Sequence, residues 1–253
     1  MIKIKTEQEI EIMRQCGKIL AEALEEVIAN VKAGISEIEL DRMAEKLIIS
    51  KGGEPGFKKV EGYKNTICIS TNDVVVHGIP TDYVLKDGDK VGIDCGVFYK
   101  GFHTDMAQTT VIKGGKNLVE VNKFLQTGEK AMWEGIKAAK LNNRIGDISK
   151  AMQDVIEGQG YSVVRSLIGH GVGRDLHEDP EVPGYLDRPI LKTPLLKEGM
   201  TIAIEAIYNM GKSDVIYSGN DGWTIKSRDG SLSGLFERSI AITKRGTEVL
   251  TRK

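Results

Sequence analysis

The feature that most constrains this chain is a pair of β-rich segments, 91–99 and 101–112, each of which carries one aspartate. A glycine at a tight turn between segments rich in Val, Ile, Phe, Tyr and Thr predicts an antiparallel hairpin. If the two loop residues are 99–100, the strands pair so that Asp94 lies opposite Asp105. The hairpin is therefore expected to bring two carboxylates together.

Two explanations of this pair are open at the level of the hairpin. Directly opposed side chains lie about 4.5–5.5 Å apart, and two like charges there repel unless a cation or a shared proton lies between them. Alternatively, both aspartates lie on a solvated face, where carboxylates are common. A bulge at Gly101 would shift the register by one residue. The segment predicts a charge cluster without deciding what neutralises it.

The composition limits the classes of partner and the compartment. Lys plus Arg (35) nearly balance Asp plus Glu (36), so no overall field favours nucleic acid or an anionic membrane. The N-terminus becomes charged before an apolar signal core could form, and no apolar run is long enough to cross a bilayer. Three scattered cysteines argue against a disulfide framework. We expect a cytoplasmic protein without specific nucleic-acid binding.

The order of predicted elements occurs twice along the chain. Capping boxes at 6–9 and 36–39, and a similar Asn-x-x-Glu start at 117–120, precede apolar residues at helical spacing. Strand-like segments follow each helix pair. This predicts one domain, 1–253, with two α/β halves at about 1–113 and 114–253. In the second half the predicted strands are 162–168, 201–209, 223–226 and 235–243, and the proline-rich segment 179–194 is predicted to be a surface loop.

Two histidines and two glutamates could act together with the aspartates. His170 and His177 lie in a segment rich in Gly and Asp, where glycines let the backbone approach a ligand closely. Glu205 and Glu237 lie in apolar, strand-like segments. A carboxylate buried there is costly unless it is paired or bound to metal. These four residues are candidates for a functional site.

Each glutamate taken singly has an ordinary explanation, which is a salt bridge to Arg238 or Arg174, or an outward-facing edge position. Taken together, four carboxylates and one imidazole form an oxygen-rich set that suits Mn²⁺, Fe²⁺, Co²⁺ or Zn²⁺. Pairs of such ions about 3.5–4 Å apart are a known hydrolytic device. The sequence therefore predicts a site for two divalent cations. Its members are Asp94, Asp105, His170, Glu205 and Glu237.

On these residues and their order, the chain resembles the type I methionine aminopeptidases in their short, bacterial-type form. The match extends from the first predicted helix to the last predicted strand. The segments that carry it are Val-His-Gly-Ile-Pro at 76–80, the aspartate hairpin at 93–105, Gly-His-Gly-Val-Gly to His-Glu-Asp-Pro at 169–180, Met-Thr-Ile-Ala-Ile-Glu at 200–205 and Phe-Glu at 236–237.

The resemblance implies an α+β pita-bread fold, in which two pseudo-symmetric α/β halves and an antiparallel sheet hold a dinuclear metal site. It implies that Asp94 binds one metal in bidentate fashion, that Asp105 and Glu237 bridge both, and that His170 and Glu205 complete the other shell. A metal-bridging hydroxide would be the nucleophile, and Glu205 would also accept the proton.

The same resemblance implies removal of the initiator methionine from nascent proteins and peptides, with preference for a small second residue. His177 would stabilise the tetrahedral intermediate and His77 would position substrate. The methionine pocket would be formed by Tyr63, Cys68 and Trp223. Further implications are a monomer and transient association with the ribosome.

The sequence departs from the common family pattern at Thr104, Ala206, Arg238 and Leu176, none of which is a metal ligand. Two other functions share the fold. One is a prolidase or proline-specific aminopeptidase, whose members usually carry an additional N-terminal domain. The other is a binding protein with the pita-bread fold that has lost its metals. Such proteins lack ligand residues, whereas all five are present in this sequence.

Overall fold

A computed structural model describes residues 1–219 and 221–253. Four helices and thirteen strands are formed by the described residues. The helices are α1 (Glu7–Ala29), α2 (Glu37–Ser50), α3 (Leu118–Ala138) and α4 (Ile145–Glu157), and single 3₁₀ turns lie at Phe57–Lys59 and Ile190–Lys192. The strands are β1 (Glu54–Pro55), β2 (Ile67–Thr71), β3 (Val74–Val76), β4 (Lys90–Tyr99), β5 (Phe102–Val111), β6 (Ser162–Val163), β7 (Gly169–Gly171), β8 (Glu178–Val182), β9 (Thr201–Asn209), β10 (Val215–Tyr217), β11 (Ile225–Ser227), β12 (Ser233–Thr243) and β13 (Gly246–Val249).

The helix starts show how local sequence sets these elements. The Thr6 backbone N–H donates to the Glu9 carboxylate (2.8 Å), and the Glu9 N–H donates to the Thr6 hydroxyl (3.3 Å). The Ser36 N–H likewise donates to the Glu39 carboxylate (2.8 Å). Both predicted capping boxes are confirmed. Helix α3 begins after Asn117 as expected, but Asn117 is left-handed (φ 63°) and its side chain does not cap the helix.

The strands form three antiparallel sheets. In the first half β4 pairs with β2 at residues 91–95, with β1 at residues 97–98, and with β5 along its whole length, 90–99. In the second half the order is β13-β12-β9-β7-β8, with β6 paired to β9. A small sheet, β10-β11-β3, joins the halves. Apolar faces of α1 and α2 pack on the first sheet and those of α3 and α4 on the second, so each half has its own core. Among the described helices, none is long and apolar enough to cross a membrane.

The register of the aspartate hairpin differs from the prediction. The loop residues are Lys100 and Gly101, both left-handed with φ of 47° and 88°, and not 99–100. A two-residue turn that needs positive φ at both positions explains why the glycine lies within the loop. Asp94 therefore lies opposite Ala107, and the expected direct opposition to Asp105 was wrong. The aspartates are instead diagonal neighbours on the same face of the sheet.

Three further differences lie in the second half. The proline-rich segment begins with strand β8, which tolerates Pro180 because it is the edge strand of its sheet. The predicted strand at 162–168 is limited to β6. Strands β10 and β13 were not predicted, since both are short and largely lack buried apolar residues.

Candidate metal centre

All ten residues singled out as ligands, catalytic groups or pocket residues line one cavity of about 190 Å³. They come from both halves of the chain and from the loops that follow β3 and β7. Convergence of residues that are this far apart in sequence is a property of the fold and not of any one motif. The ten are Tyr63, Cys68, His77, Asp94, Asp105, His170, His177, Glu205, Trp223 and Glu237.

The sheet registers place the acids. Asp94 and Asp105 are the diagonal pair of the first sheet. Glu205 on β9 lies directly opposite Glu237 on β12 in the second sheet. His170 on β7 pairs with Ala203 and so reaches the same part of β9. Four carboxylates thus meet where the two sheets come together.

His170 is oriented for metal binding by its own backbone surroundings. Its Nδ1 lies 2.9 Å from the Gly171 carbonyl oxygen, which can only accept, so Nδ1 carries the hydrogen. Burial lowers the pKa of His170 to about 4, and the ring is therefore neutral near pH 7. Its Nε2 presents a lone pair 3.9 Å from Asp105 Oδ2 and 4.0 Å from Glu237 Oε1. These three groups lie close enough together to hold one ion.

The four carboxyl groups are buried and repel one another when they are ionised. Burial and the Glu205 charge raise the pKa of Asp105 to about 8, and burial with the Asp94 charge raises the pKa of Glu205 to about 8. Burial and the neighbouring acids hold the pKa values of Asp94 and Glu237 well above their usual ranges. The group can be ionised as a whole only if positive charge lies among its members.

Among the described residues, neither Arg174 nor Arg238 forms an ion pair with Glu205 or Glu237. Arg174 pairs with Glu9 (2.5 Å). Arg238 donates to the backbone carbonyl oxygens of Ala107 (3.1 Å) and Glu237 (2.7 Å). Among the described residues, buried oxygens of Asp94 (Oδ1) and Glu237 (Oε1) have no hydrogen-bond partner. Buried acceptors of this kind are costly unless a ligand satisfies them. The donor set fits divalent cations and does not fit a structural ion pair.

Metal binding is expected to stabilise the protein, and more strongly as the pH rises from about 6.5 to about 8. A raised pKa means that the folded, metal-free protein keeps protons that the unfolded chain has released, so its stability falls as the pH rises towards about 8. Buried Lys90, with a pKa lowered to about 7, acts in the opposite direction but is one group against four. Cations at one hundred times Kd should raise the melting temperature by about 5–10 °C.

Differential scanning calorimetry with Mn²⁺ or with chelator, at a series of pH values, measures this effect. A metal-dependent rise that does not change with pH would show that the acids do not exchange protons for the cation.

An apolar pocket adjoins the acids. Phe57, Tyr63, Cys68 and Leu176 form a buried cluster, and the Tyr63 ring lies 5.1 Å from the Trp223 ring in an edge-to-face arrangement. Sequence reasoning missed Phe57. Its signal was Gly96, a glycine within β4, because a Cβ at that position would lie 2.8 Å from the Phe57 ring.

The three histidines outside the ligand set occupy different positions. His77, left-handed at φ 57° and half-buried, and His177, which is exposed, both line the cavity. The His177 ring lies 4.4 Å from the His170 ring. His103 lies outside the cavity lining and packs against Phe98, with ring centres 4.8 Å apart. The first two can reach a ligand in the cavity.

Most departures from the family pattern point away from the site. The Thr104 hydroxyl donates to Cys16 (3.2 Å) behind the hairpin, Ala206 lies in the second core, and Arg238 binds a carbonyl of β5. Leu176 alone of these four lines the cavity. None of the first three side chains forms a hydrogen bond or an ion pair with the carboxylates of the four acids among the described residues.

The model of the family described as metallopeptidase family M24 matches residues 11–244. The chain belongs to this family. Among its relatives, a methionine aminopeptidase of Clostridium perfringens is 45% identical over 99% of both chains. The structure of a methionine aminopeptidase from Thermotoga maritima superposes with a TM-score of 0.95 at 37% identity and covers 100% of each chain. A prolidase from Pyrococcus furiosus gives a TM-score of 0.77 at 26% identity and covers 99% of this chain but 65% of that one.

These similarities place the chain among the methionine aminopeptidases of family M24, with the pita-bread fold. Full coverage in both directions distinguishes this match from the match to the prolidase, which has a further third of its length without a counterpart here. The expected α+β fold class and family are confirmed. As an M24 metallopeptidase, the chain uses divalent metal.

Proposed function

We propose that this metallopeptidase removes the N-terminal initiator methionine from nascent proteins and peptides, and that it favours a small second residue. The observation that carries the proposal is the convergence of four buried acids, a neutral histidine and an apolar pocket on one cavity. The chain would act as one catalytic unit over residues 1–253, because both halves contribute to that cavity. Its identity to named methionine aminopeptidases over the full length supports the choice of substrate.

The five residues would hold two divalent cations, with Co²⁺, Mn²⁺, Fe²⁺ and Zn²⁺ as candidates. Asp94 would bind one ion, Asp105 and Glu237 would bridge, and His170 and Glu205 would complete the other shell. The unpartnered oxygens of Asp94 and Glu237 and the free Nε2 of His170 support these three residues as ligands. When bound, the cations supply Lewis-acid activation of a water molecule and of the scissile carbonyl.

The protein's own groups would move the proton and stabilise charge. Glu205, which lines the same cavity, would take a proton from the attacking water and deliver it to the leaving amine. His177 would donate to the oxygen on which negative charge develops, and its exposed position at the cavity allows this contact. His77 would position the peptide.

The methionine side chain would lie against Tyr63, Cys68 and Trp223. Burial of Tyr63 and Cys68 and the edge-to-face packing of Tyr63 on Trp223 give an apolar, aromatic wall. Thioether sulfur makes favourable contacts with aromatic rings at about 5 Å. Phe57 and Leu176 extend the same wall and would take part in side-chain selection.

The proposed substrates are N-termini that emerge during synthesis. We therefore propose a cytoplasmic monomer that meets the ribosome transiently, without specific nucleic-acid binding, in line with the near balance of 35 basic and 36 acidic residues.

Peptide hydrolysis by protein that has been stripped with chelator and reloaded with Mn²⁺ or Co²⁺ tests the function. We expect release of methionine from Met-Ala-Ser, much slower release from Met-Leu-Ser, and no cleavage of Xaa-Pro dipeptides. Cleavage of Xaa-Pro substrates in preference to Met-Ala-Ser would assign the chain to the prolidase activity instead. A protein that binds metal and hydrolyses none of these peptides would overturn the proposal.

A further inference from the structure

Strands β5 and β12 lie side by side where the two larger sheets meet, and two hydroxyl groups join them. The Ser239 hydroxyl accepts from the Asp105 backbone N–H (2.8 Å) and donates to the Asp105 carbonyl oxygen (2.9 Å). The Thr109 hydroxyl does the same in the other direction, accepting from the Leu235 N–H (3.0 Å) and donating to its carbonyl oxygen (2.7 Å). We call these two contacts the hydroxyl bridges.

The hydroxyl bridges replace an ordinary strand ladder. Each hydroxyl satisfies both backbone groups of one residue on the opposite strand, so the two strands are joined through side chains and not through direct backbone pairs. Ser239 is fully buried and Thr109 is 5% exposed, so water cannot take over these hydrogen bonds cheaply. The separation of the two strands at this point therefore depends on the size and position of two small side chains.

The positions of the bridges relative to the acids give them a specific consequence. One bridge ends on Asp105 itself. Glu237 lies midway between the bridged positions of β12, Leu235 and Ser239, and so has a hydroxyl bridge about 7 Å along the strand on each side. The two carboxylates proposed to bridge the cations thus belong to strands whose spacing is set by Ser239 and Thr109.

The backbone of Ser239 is fixed by hydrogen bonds to the C-terminal segment. Its N–H donates to the Thr251 hydroxyl (3.2 Å), and its carbonyl oxygen accepts from the Leu250 N–H (2.9 Å). Thr251 and Leu250 are each 1% exposed. The C-terminal segment therefore fixes the backbone that presents the hydroxyl to Asp105, and the hydroxyl cannot move away without breaking buried hydrogen bonds.

We infer that Ser239 is a positioning residue that sets the distance between the Asp105 and Glu237 carboxylates and thereby the affinity for a second cation. Thr109 has the same role at the other end. This inference rests on the proposed function, because it concerns the proposed bridging ligands. It assigns to two uncharged residues outside the ligand set a part in holding the metal pair.

Isothermal titration with Mn²⁺, visible spectra of the Co²⁺-loaded protein, and kcat and KM for Met-Ala-Ser test the inference on wild type, Ser239→Ala and Ser239→Thr. We expect Ser239→Ala to bind the second cation at least about 10-fold more weakly, since partners that orient metal ligands have effects of about 10–100-fold. Its kcat should fall in parallel with little change in KM. Ser239→Thr, which keeps the hydroxyl, should restore both.

Ser233→Ala is the matched control. Ser233 lies on the same strand, is fully buried, and donates its hydroxyl to the Tyr208 carbonyl oxygen (3.1 Å) within the second sheet. Its loss should lower stability to a similar extent and leave metal affinity unchanged. Equal losses of metal affinity in Ser233→Ala and Ser239→Ala would overturn the inference, because they would reflect general loosening of β12.

Unchanged metal affinity and kcat in Ser239→Ala would also overturn it. If Ser239→Ala does not fold, Thr109→Val removes the second bridge with little change of shape, and wild-type metal affinity in that variant would be equally decisive. Wild-type protein that binds two cations but releases no methionine would refute the proposed function alone, since the metal titrations would still test the positioning role.

Discussion

Asp94→Asn is expected to raise the melting temperature of the metal-free protein and to lower kcat/KM for Met-Ala-Ser by at least about 1,000-fold. The two effects have one origin. Burial and the Asp105 charge hold the pKa of Asp94 well above its usual range, so folding is opposed by a carboxyl that must keep a proton. An amide of the same shape removes that opposition. It also removes the negative charge of a proposed ligand, and metal affinity should fall with the activity.

Calorimetry with chelator, titration with Mn²⁺ and peptide kinetics measure the three quantities on one preparation. Asp89→Asn is the matched control, because Asp89 is another buried aspartate but its oxygens accept from Asn72 (2.8 Å), Tyr83 (3.0 Å) and the Lys86 N–H (2.9 Å). That variant should lower the melting temperature and keep metal affinity. A fall in melting temperature for Asp94→Asn, with metal binding retained, would mean that Asp94 is a structural residue.

His177→Ala is expected to lower kcat by about 100-fold or more while metal affinity stays at the wild-type value. The reason is that His177 lines the cavity from an exposed position, next to the proposed metal ligand His170 but without a contact to the acids. Loss of one donor to a developing oxyanion typically reduces kcat by about 100–1,000-fold.

Initial rates of peptide hydrolysis measure kcat, and titration with Mn²⁺ measures metal affinity. His103→Leu serves as the comparison, since the His103 ring packs on Phe98 outside the cavity and its Nδ1 has no hydrogen-bond partner among the described residues. That variant should retain kcat. If His177→Ala kept wild-type kcat, or lost metal affinity together with activity, the role as a donor to substrate would be wrong.

Local chemistry in the sequence was sufficient for the helices and for the long strands. Capping boxes mark the first residues of α1 and α2 because the cap is satisfied within four residues. Strand β9 has the predicted bounds, 201–209, since its apolar run is buried on both faces. Short strands such as β10 were missed because their stability comes from the strand beside them and not from their own residues.

The hairpin shows where local reasoning stops. Gly101 was sufficient to predict a turn. The register depended on which two residues adopt positive φ, and these are Lys100 and Gly101. Because the predicted loop was 99–100, each residue of β4 was paired with a residue of β5 two positions away from its actual partner. The same-face relation of Asp94 and Asp105 survived because two positions preserve the alternation of a strand. The hydroxyl bridges could not be predicted, since Ser239 and Thr109 acquire partners only when the two sheets meet.

The ten predicted site residues all line the cavity, and they could be chosen together because the resemblance extends over the whole chain; Phe57 lines the same cavity and was not predicted. Periodicity alone left each of Glu205 and Glu237 with an ordinary salt bridge as an alternative. The structure removes that alternative by giving Arg174 and Arg238 other partners. The roles of the ten residues remain predictions for the experiments described above.

The division of the acids between the two sheets has a consequence for the order of events during synthesis. Asp94 and Asp105 leave the ribosome well before His170, Glu205 and Glu237, so the growing chain can offer an incoming ion no more than a fragment of the proposed shell. A cation that binds one or two carboxylates of the unfinished chain is therefore not held firmly enough to remain in the folded protein. Choice among metals is then made by the completed protein, whose rigid geometry and available ions decide which cations stay.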